Sequence, residues 1–298
     1  MVRQYKIHTN LDGTDDKIWD VTNGKVRFYQ PSNLGLQSTN NIWQSNGIGV
    51  MGTRSITQPQ IEFKLETFGE SLEENYRLMK DFINDILSKK FVTLEYQTEI
   101  FQVYADLALA DVTKTEGYGK NGTFSEKITF DIITKWYTYE NLTFDMIKNG
   151  KVIAGKSKIY GGTAPGSYKY VEGISYTYYG ETNIERLSRW DIKDEIFSFM
   201  GILYPQLPKT PTGVRFLDDI GNEYTAIVFK TEQLQNYILI NTDVNDEIYQ
   251  GWNGTTSLNL FPVMDFERYR TRIIKRGQME LINLTKAEFK IKRKADFV

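Results

Sequence analysis

The 298-residue chain carries 36 Lys and Arg against 38 Asp and Glu, and it has no cysteine. A net charge of −2 gives no global attraction to nucleic acid or an anionic membrane. The missing cysteine excludes disulfides, thiolate nucleophiles and Cys-based metal sites.

This length accommodates about two domains. The 19 Tyr, 17 Phe and 5 Trp suit half-buried pleated surfaces, so the chain is expected to be mainly β. MVRQYKIHTN lacks the apolar core of a signal peptide. No apolar run approaches the roughly 20 residues that span a bilayer. The expectation is a soluble chain made in a cytoplasm, in which Asn141-Leu142-Thr143 and Asn253-Gly254-Thr255 carry no glycosylation meaning.

Along the chain, His8 in KIHTN reads as a solvent-facing strand residue. The one histidine cannot build a metal site without partners. Asp15-Asp16 is an adjacent carboxylate pair on a turn, not two acids flanking a scissile bond. Asn-Gly recurs at Asn23-Gly24, Asn46-Gly47, Asn121-Gly122, Asn149-Gly150 and Asn253-Gly254. Both residues tolerate positive φ, and Asn23-Gly24 and Asn149-Gly150 are read as hairpin turns. Gly47-Ile-Gly49-Val-Met-Gly52 spells GxGxxG. TRSITQPQ follows it instead of a helix, so it reads as a bent or bulged loop and not a dinucleotide site.

IEFKLETF alternates Ile61, Phe63 and Leu65 with charged residues, a strand with one covered face. Ser71 to Lys90 then reads as one long helix. Ser71 and Glu74 form a capping-box pattern. Leu72, Tyr76, Met79, Ile83 and Ile86 give an apolar stripe, and Lys89 and Lys90 suit the C-terminal dipole. FVTLEY and KITFDII return to strands, so the helix is laid across a sheet.

A domain boundary is placed near Tyr139, giving 1–139 and 140–298. The segment about 145–190 is Gly- and Tyr-rich and broken by Gly161-Gly162 and Pro165-Gly166. Its Tyr160, Tyr168, Tyr170, Tyr176, Tyr178 and Tyr179 either pack on their own domain or meet a partner, since Tyr suits interfaces. Strand patterns resume with YTAIVF (224–229), YILIN (237–241), MELINL (279–284) and AEFKI (287–291). LDDIGNEY, with Asp218-Asp219, reads as a hairpin connection. In FERYRTRIIKR a strand puts Arg268, Arg270 and Arg272 on one face. That face is either an anion or inter-subunit carboxylate site or a solvated face with acids nearby. KIKRK (290–294) reads as an exposed basic end. No catalytic, cofactor-binding or metal-ligating constellation emerges, and no cofactor is expected.

A strand-rich first half with one helix, a second β domain, and the closing DFERYRTRIIKRGQMELINLTKAEFKIKRK resemble the distal tail protein family of siphophages, in its lactococcal baseplate form. Phe266-Glu-Arg-Tyr269, Gly277, and Met279 to Ile291 stand where that family has an aromatic segment, a glycine turn and paired final strands. The resemblance covers essentially the whole chain. It implies an N-terminal tail-tube-like β-sandwich with one helix, and a C-terminal galectin-like β-sandwich with an arm-like insertion about 145–190. It also implies a non-enzymatic virion protein of the tail tip, assembled in the host cytoplasm. Six copies would form a ring on the genome-delivery channel, contacting the tail tube, tail-tip proteins and receptor-binding proteins, with no sequence-specific nucleic acid and no membrane. A rival reading is a module that binds host cell-wall saccharide through aromatics such as Trp252. The sugar-site histidine usual for galectins is missing from that half.

Overall fold

A computed structural model describes residues 3–13, 15–35, 37–57, 60–114, 123–145, 147–148, 151–152, 160–161, 169–170, 178–179, 185–186, 189–193 and 195–295. Among these the chain is mainly β with one α-helix, as the aromatic and β-branched composition implies. It divides into two units, Met1–Thr138 with Ala295–Val298, and Tyr139–Lys294.

The first unit contains β1 (Gln4–His8), β2 (Ile18–Asp20), β3 (Val26–Ser32), β4 (Gln37–Ser45), β5 (Ile48–Thr57), β6 (Gln60–Thr67), α1 (Leu72–Leu87), β7 (Val92–Gln97), β8 (Gln102–Thr113), β9 (Ser125–Ile132) and the start of β10 (Tyr137–Asp145). All pairings are antiparallel, in the order β2-β1-β7-β8-β9-β6-β3. β8 pairs β7 through Leu107, and from Leu107 onward it pairs β9, with an irregularity at Leu109/Asp111. A long strand that changes partner at a bulge folds one sheet over on itself. The alternating residues Ile61, Phe63 and Leu65 of β6 are buried in the fold, as their period of two requires.

The helix starts where the sequence implies, with Ser71 Oγ accepting from the Glu74 amide at 3.2 Å. Glu74 reaches one residue farther back than in the simple box, to the Glu70 amide at 2.7 Å, and also holds Lys25. The helix ends at Leu87, so Lys89 and Lys90 lie beyond its last turn; Lys89 pairs with Asp15 at 2.8 Å. The buried face is rotated from the expected stripe. Asn75, Phe82 and Ile86 are buried, whereas Leu72 and Tyr76 face solvent. Phe82 decides the rotation, since its ring meets Phe28 and Trp19 edge-on at 5.9 and 5.2 Å. The buried Asn75 amide oxygen is satisfied by the Gly69 amide at 2.6 Å.

His8 is buried, contrary to its reading as solvent-facing. Nδ1 lies 2.7 Å from Asp16 and Nε2 2.9 Å from Glu95, whose other oxygen accepts from Lys6 at 2.9 Å. The pairing of β1 with β7 sets His8 opposite Thr93 and Lys6 opposite Glu95, so the ring turns toward carboxylates instead of water. Burial by itself would raise the Glu95 carboxyl; the hydrogen bonds from Lys6 and His8 override this and hold it below the ordinary range.

Asn23-Gly24 is not a hairpin. β2 pairs β1 and β3 pairs β6, and Asp20 closes the turn between them by accepting from Thr22 and Asn23 amides. Asn46-Gly47 is the hairpin turn, with both φ positive (51° and 79°). It joins β4 to β5 as a ribbon that, among the described residues, pairs with no other strand. The GxGxxG letters thus lie at the turn and on β5 and not in a loop, although the expected irregularity is present as a register shift that sets Gly52 and Thr53 opposite Asn41. Asn149-Gly150 and Asn121-Gly122 lie outside the described residues.

The second unit has the rest of β10, then β11 (Ile147–Lys148), β12 (Lys151–Val152), β13 (Tyr160–Gly161), β14 (Lys169–Tyr170), β15 (Tyr178–Tyr179), β16 (Glu185–Arg186), β17 (Arg189–Ile192), β18 (Ile196–Pro205), β19 (Thr212–Leu217), β20 (Glu223–Phe229), β21 (Tyr237–Asn241), β22 (Ile248–Asn253), β23 (Thr256–Asn259), β24 (Gly277–Ile282) and β25 (Leu284–Lys294). One sheet runs β10-β25-β18-β21-β22-β23 and the other β17-β24-β19-β20. Phe199, Leu203, Ile238, Ile240, Phe289 and Ile291 of the first pack with Val214, Phe216, Ile227, Phe229, Met279 and Leu281 of the second. LDDIGNEY is the β19–β20 connection, with Asp218 accepting from the Ile220 and Asn222 amides.

The final strands are not paired with each other, contrary to the expectation. β24 pairs β17 and β19, while β25 pairs β18. Asn283 (φ 53°) turns the chain from one sheet to the other, bonding Leu207 and Thr212 with its buried amide. KIKRK is not an exposed end either. It lies in β25, with Lys292 buried on Asp243 at 2.9 Å and Arg293 on Glu140 at 2.9 Å.

Phe82→Ala is expected to cost about 3–5 kcal/mol by the cavity it leaves, measured by urea unfolding; a loss under about 1 kcal/mol contradicts the packing described. Glu95→Gln is expected to lose about 2 kcal/mol at neutral pH. Because the folded Glu95 carboxyl titrates below its unfolded value, its contribution is complete above pH about 4.5 and fades as pH falls through the folded value. The Gln variant should therefore show a shallower loss of stability on acidification below pH 4.5 than the parent.

Candidate functional site

The charged groups brought together by the fold serve as tethers. Arg215 donates from Nε and Nη2 to the fully buried Glu280 at 2.7 and 2.6 Å, and its Nη1 lies 3.7 Å from Glu223. Arg268 grips Glu223 with Nε and Nη2 at 2.8 and 2.6 Å, a two-point fork that holds the Glu223 carboxyl well below its usual range. Arg272 meets Glu247 at 2.7 Å, and the Glu247 carboxylate also accepts from the Tyr249 hydroxyl at 2.8 Å. Burial, then Tyr269 and Glu247, push the Tyr249 phenol upward.

Residues 264–276 are not a strand with three guanidinium groups on one face. They run irregularly along the edge of β20, with backbone bonds Asp265 N–Val228 O and Ala226 N–Arg268 O. Arg268 and Arg272 reach acids on other segments, and Arg270 Nε bonds the Glu267 carbonyl at 3.4 Å. A strand edge that is covered in this way cannot pair with foreign chain.

Asp16 is committed to His8 and Asp15 to Lys89, and Asp218 caps a turn. Asp219 lines an open polar groove of about 510 Å³ with Asp191, Lys193, Arg276 and Gln278, 3.8 Å from Arg276. Among the described residues no group of three His, Asp or Glu is placed to hold a metal. A nucleophile beside a positioned base is what covalent catalysis needs, and none of these clusters supplies one.

What remains is surface. On the outer face of the larger sheet of the second unit, Tyr204, Tyr237 and Trp252 sit side by side on β18, β21 and β22. Tyr237 and Trp252 are in register, with rings 6.0 Å apart at 17°. Tyr204 is 6.5 Å from Tyr237, and Lys286 lies 5.4 Å over its ring. The six tyrosines singled out in the sequence fall partly outside the described residues: Tyr168 and Tyr176 are there entirely. Tyr160 pairs with Tyr170 across β13–β14, and Tyr178 and Tyr179 pair with Arg186 and Glu185 across β15–β16.

In the first unit, exposed apolar side chains lie at the tip of the β4–β5 ribbon, with Ile42, Trp43, Ile48, Val50 and Met51; at Tyr29 and Phe68, whose rings are 6.3 Å apart; and at Leu72 and Tyr76 on the first turns of α1. The available signal was a run, 37–57, with one Arg and no other charge, folded at an Asn-Gly turn.

A family model described as "Distal tail protein, N-terminal domain" matches residues 4–133, and one described as "Dit, C-terminal domain" matches residues 135–298. The distal tail protein of Lactococcus phage p2 is 92% identical over 298 residues, all of both chains. A chain in the structure of the phage p2 baseplate in its activated conformation with Ca matches with a TM-score of 0.80 and 92% identity, again over all of both chains. The crystal structure of the SPP1 Dit protein matches with a TM-score of 0.54 over 99% of this chain and 100% of that one; at 9% identity it shows the fold alone. Two models that leave almost no residue unmatched, and a relative so similar end to end, establish that the chain belongs to the distal tail protein family.

Proposed function

We propose that the chain is the structural hub of a siphophage baseplate. Six copies form a ring at the distal end of the tail, part of the channel through which the genome leaves, and link the tail tube to receptor-binding proteins. The observation that carries this is the end-to-end 92% identity to the phage p2 distal tail protein, together with the match to a chain of the p2 baseplate. A near-neutral chain suits a channel wall, because a Lys/Arg-rich wall would retain phosphate. A closed cyclic ring is the economical assembly for one kind of chain. In this reading the N-terminal sandwich builds the ring. The C-terminal sandwich is galectin-like, and its insertion about 145–190 holds receptor-binding protein through Tyr160, Tyr168, Tyr170, Tyr176, Tyr178 and Tyr179.

Light scattering on the purified protein should give the mass of six chains, and negative-stain images should show rings. A strict monomer at high concentration overturns the reading. In the same assay, replacing 145–190 with a short flexible linker should leave the ring mass unchanged and abolish capture of receptor-binding protein.

A second reading is favoured by the Tyr204–Tyr237–Trp252 row: a platform for host cell-wall saccharide. Tyr and Trp present an apolar face with a polar edge, which suits sugar rings. Calorimetry with host wall polysaccharide should then give binding that Trp252→Ala weakens at least tenfold; no heat from the parent protein sinks this reading.

A further inference from the structure

The sheet edges of this chain are unequally protected. In the second unit the edge of β20 is covered by residues 264–276, which Arg268 clamps to Glu223. β17 carries Arg189 and Asp191, and β10, at one edge of the larger sheet, carries Glu140 and Asp145. In the first unit β2 is three residues long and ends in Asp20, and β3 holds Arg27, Pro31 and an irregular register. Charge, proline, a bulge or a cover each stops an edge from pairing with foreign chain. β23, at the other edge of the larger sheet, has none of these. Its four residues are all exposed, its register with β22 is unbroken, and no residue from Ile248 to Met264 is charged. Only its shortness limits what it can pair with.

The ladder shows which backbone groups of β23 are unused. Leu260 donates to the Tyr249 carbonyl at 2.9 Å, and the Trp252 carbonyl accepts from the Asn236 amide at 2.6 Å, on the side away from β23. Bonded and non-bonded pairs alternate along an antiparallel ladder. Trp252–Ser257 and Gln250–Asn259 are therefore the non-bonded pairs, and the N–H and C=O of Ser257 and Asn259 point outward from the sheet. Apolar surface lies beside this row. Leu258, opposite Gly251, shares the face of Tyr249. On that face Phe261 lies 6.0 Å from Tyr249 and meets Phe266 edge-on at 5.1 Å. Leu258, Phe261, Val263 and Phe266 are 52, 44, 39 and 51% exposed.

A row of outward backbone groups specifies its own occupant, because only an extended chain presents the matching donors and acceptors. We propose that β23 is an acceptor edge, completed in the assembled particle by an extended segment of a different protein. The added strand bonds Ser257 and Asn259 through its main chain and sets alternate apolar side chains against Leu258, Phe261 and Phe266. It carries no charge there, since the acceptor offers nothing to pair with one. A second copy of this chain does not fit. Pairing β23 with β23 needs a two-fold axis, whereas neighbours in a closed ring of six meet head to tail. That choice of partner rests on the ring reading; the acceptor edge does not.

Hydrogen exchange resolved to single amides tests this on the isolated protein and on purified baseplates. The Ser257 and Asn259 amides should exchange freely in the isolated protein and roughly tenfold or more slower in the baseplate. Unchanged exchange overturns the proposal. Slow exchange already in the isolated protein assigns the edge to a second copy and overturns it too. Independently, Ser257→Pro removes one outward N–H and no ladder bond, and Leu258→Lys places a charge on the edge. Either variant should leave the melting temperature and assembled mass of the isolated protein unchanged and deplete one other protein from the baseplate, whereas Thr255→Lys at the turn should deplete none. A full protein complement with both edge variants overturns the proposal. A parent that stays a single chain in light scattering, while its Ser257 and Asn259 amides slow in the baseplate, removes the ring reading and leaves the acceptor edge.

Discussion

With no thiol anywhere in the chain, nothing covalent crosses either core, and each unit holds by apolar faces pressed together. That constraint sets the architecture. In the first unit the strand that changes partner, β8, lets one sheet fold over on itself, and Phe82 carries the helix into the remaining gap beside Phe28 and Trp19. In the second, two sheets share a core that includes Phe199, Phe216 and Phe289. The chain passes between them through Asn283, whose amide satisfies both the backbone N–H and the C=O of Leu207 and also donates to the Thr212 hydroxyl.

Polar groups inside these cores act as position markers. A buried charge is tolerated when paired and hydrogen-bonded. Lys292 on Asp243, Arg215 on Glu280 and His8 between Asp16 and Glu95 each fix one strand relative to another. The Arg268–Glu223 fork does the same at the surface, clamping the covering segment to the edge it protects.

The sequence was legible where local pattern and tertiary demand coincide. The period-two strands, the Ser71 cap and the β19–β20 turn are examples. It failed where the decision belongs to a distant partner. His8 looks exposed until Glu95 of β7 is placed across from Lys6. Lys292 looks like part of a basic tail until Asp243 reaches it. The helix stripe follows from periodicity alone, which does not include Phe82; a ring with Trp19 and Phe28 to meet outweighs Leu72 and Tyr76, which stay exposed. Asn23-Gly24 and Asn46-Gly47 are identical dipeptides with opposite outcomes. Asp20 captures the backbone amides at the first, whereas the second has two facing strands and no competing acceptor. For the assembly surfaces, composition signalled interfaces in general but not which residues. The ribbon is hidden in the sequence because Gly47-Ile-Gly49-Val-Met-Gly52, with TRSITQPQ after it, reads as a bent or bulged loop. Only the cross-strand register shows that its few apolar residues fall on both faces of one tip.

That register also explains why the ribbon takes this composition. A ribbon of hydrocarbon along its whole length would aggregate edge to edge. Here Ile42, Trp43, Ile48, Val50 and Met51 gather toward the tip, whereas the base contains Ser38, Thr39, Asn40, Thr53, Arg54 and Ser55, with Ile56 as its apolar exception. The exposed apolar area of a single chain is thereby kept small enough to tolerate.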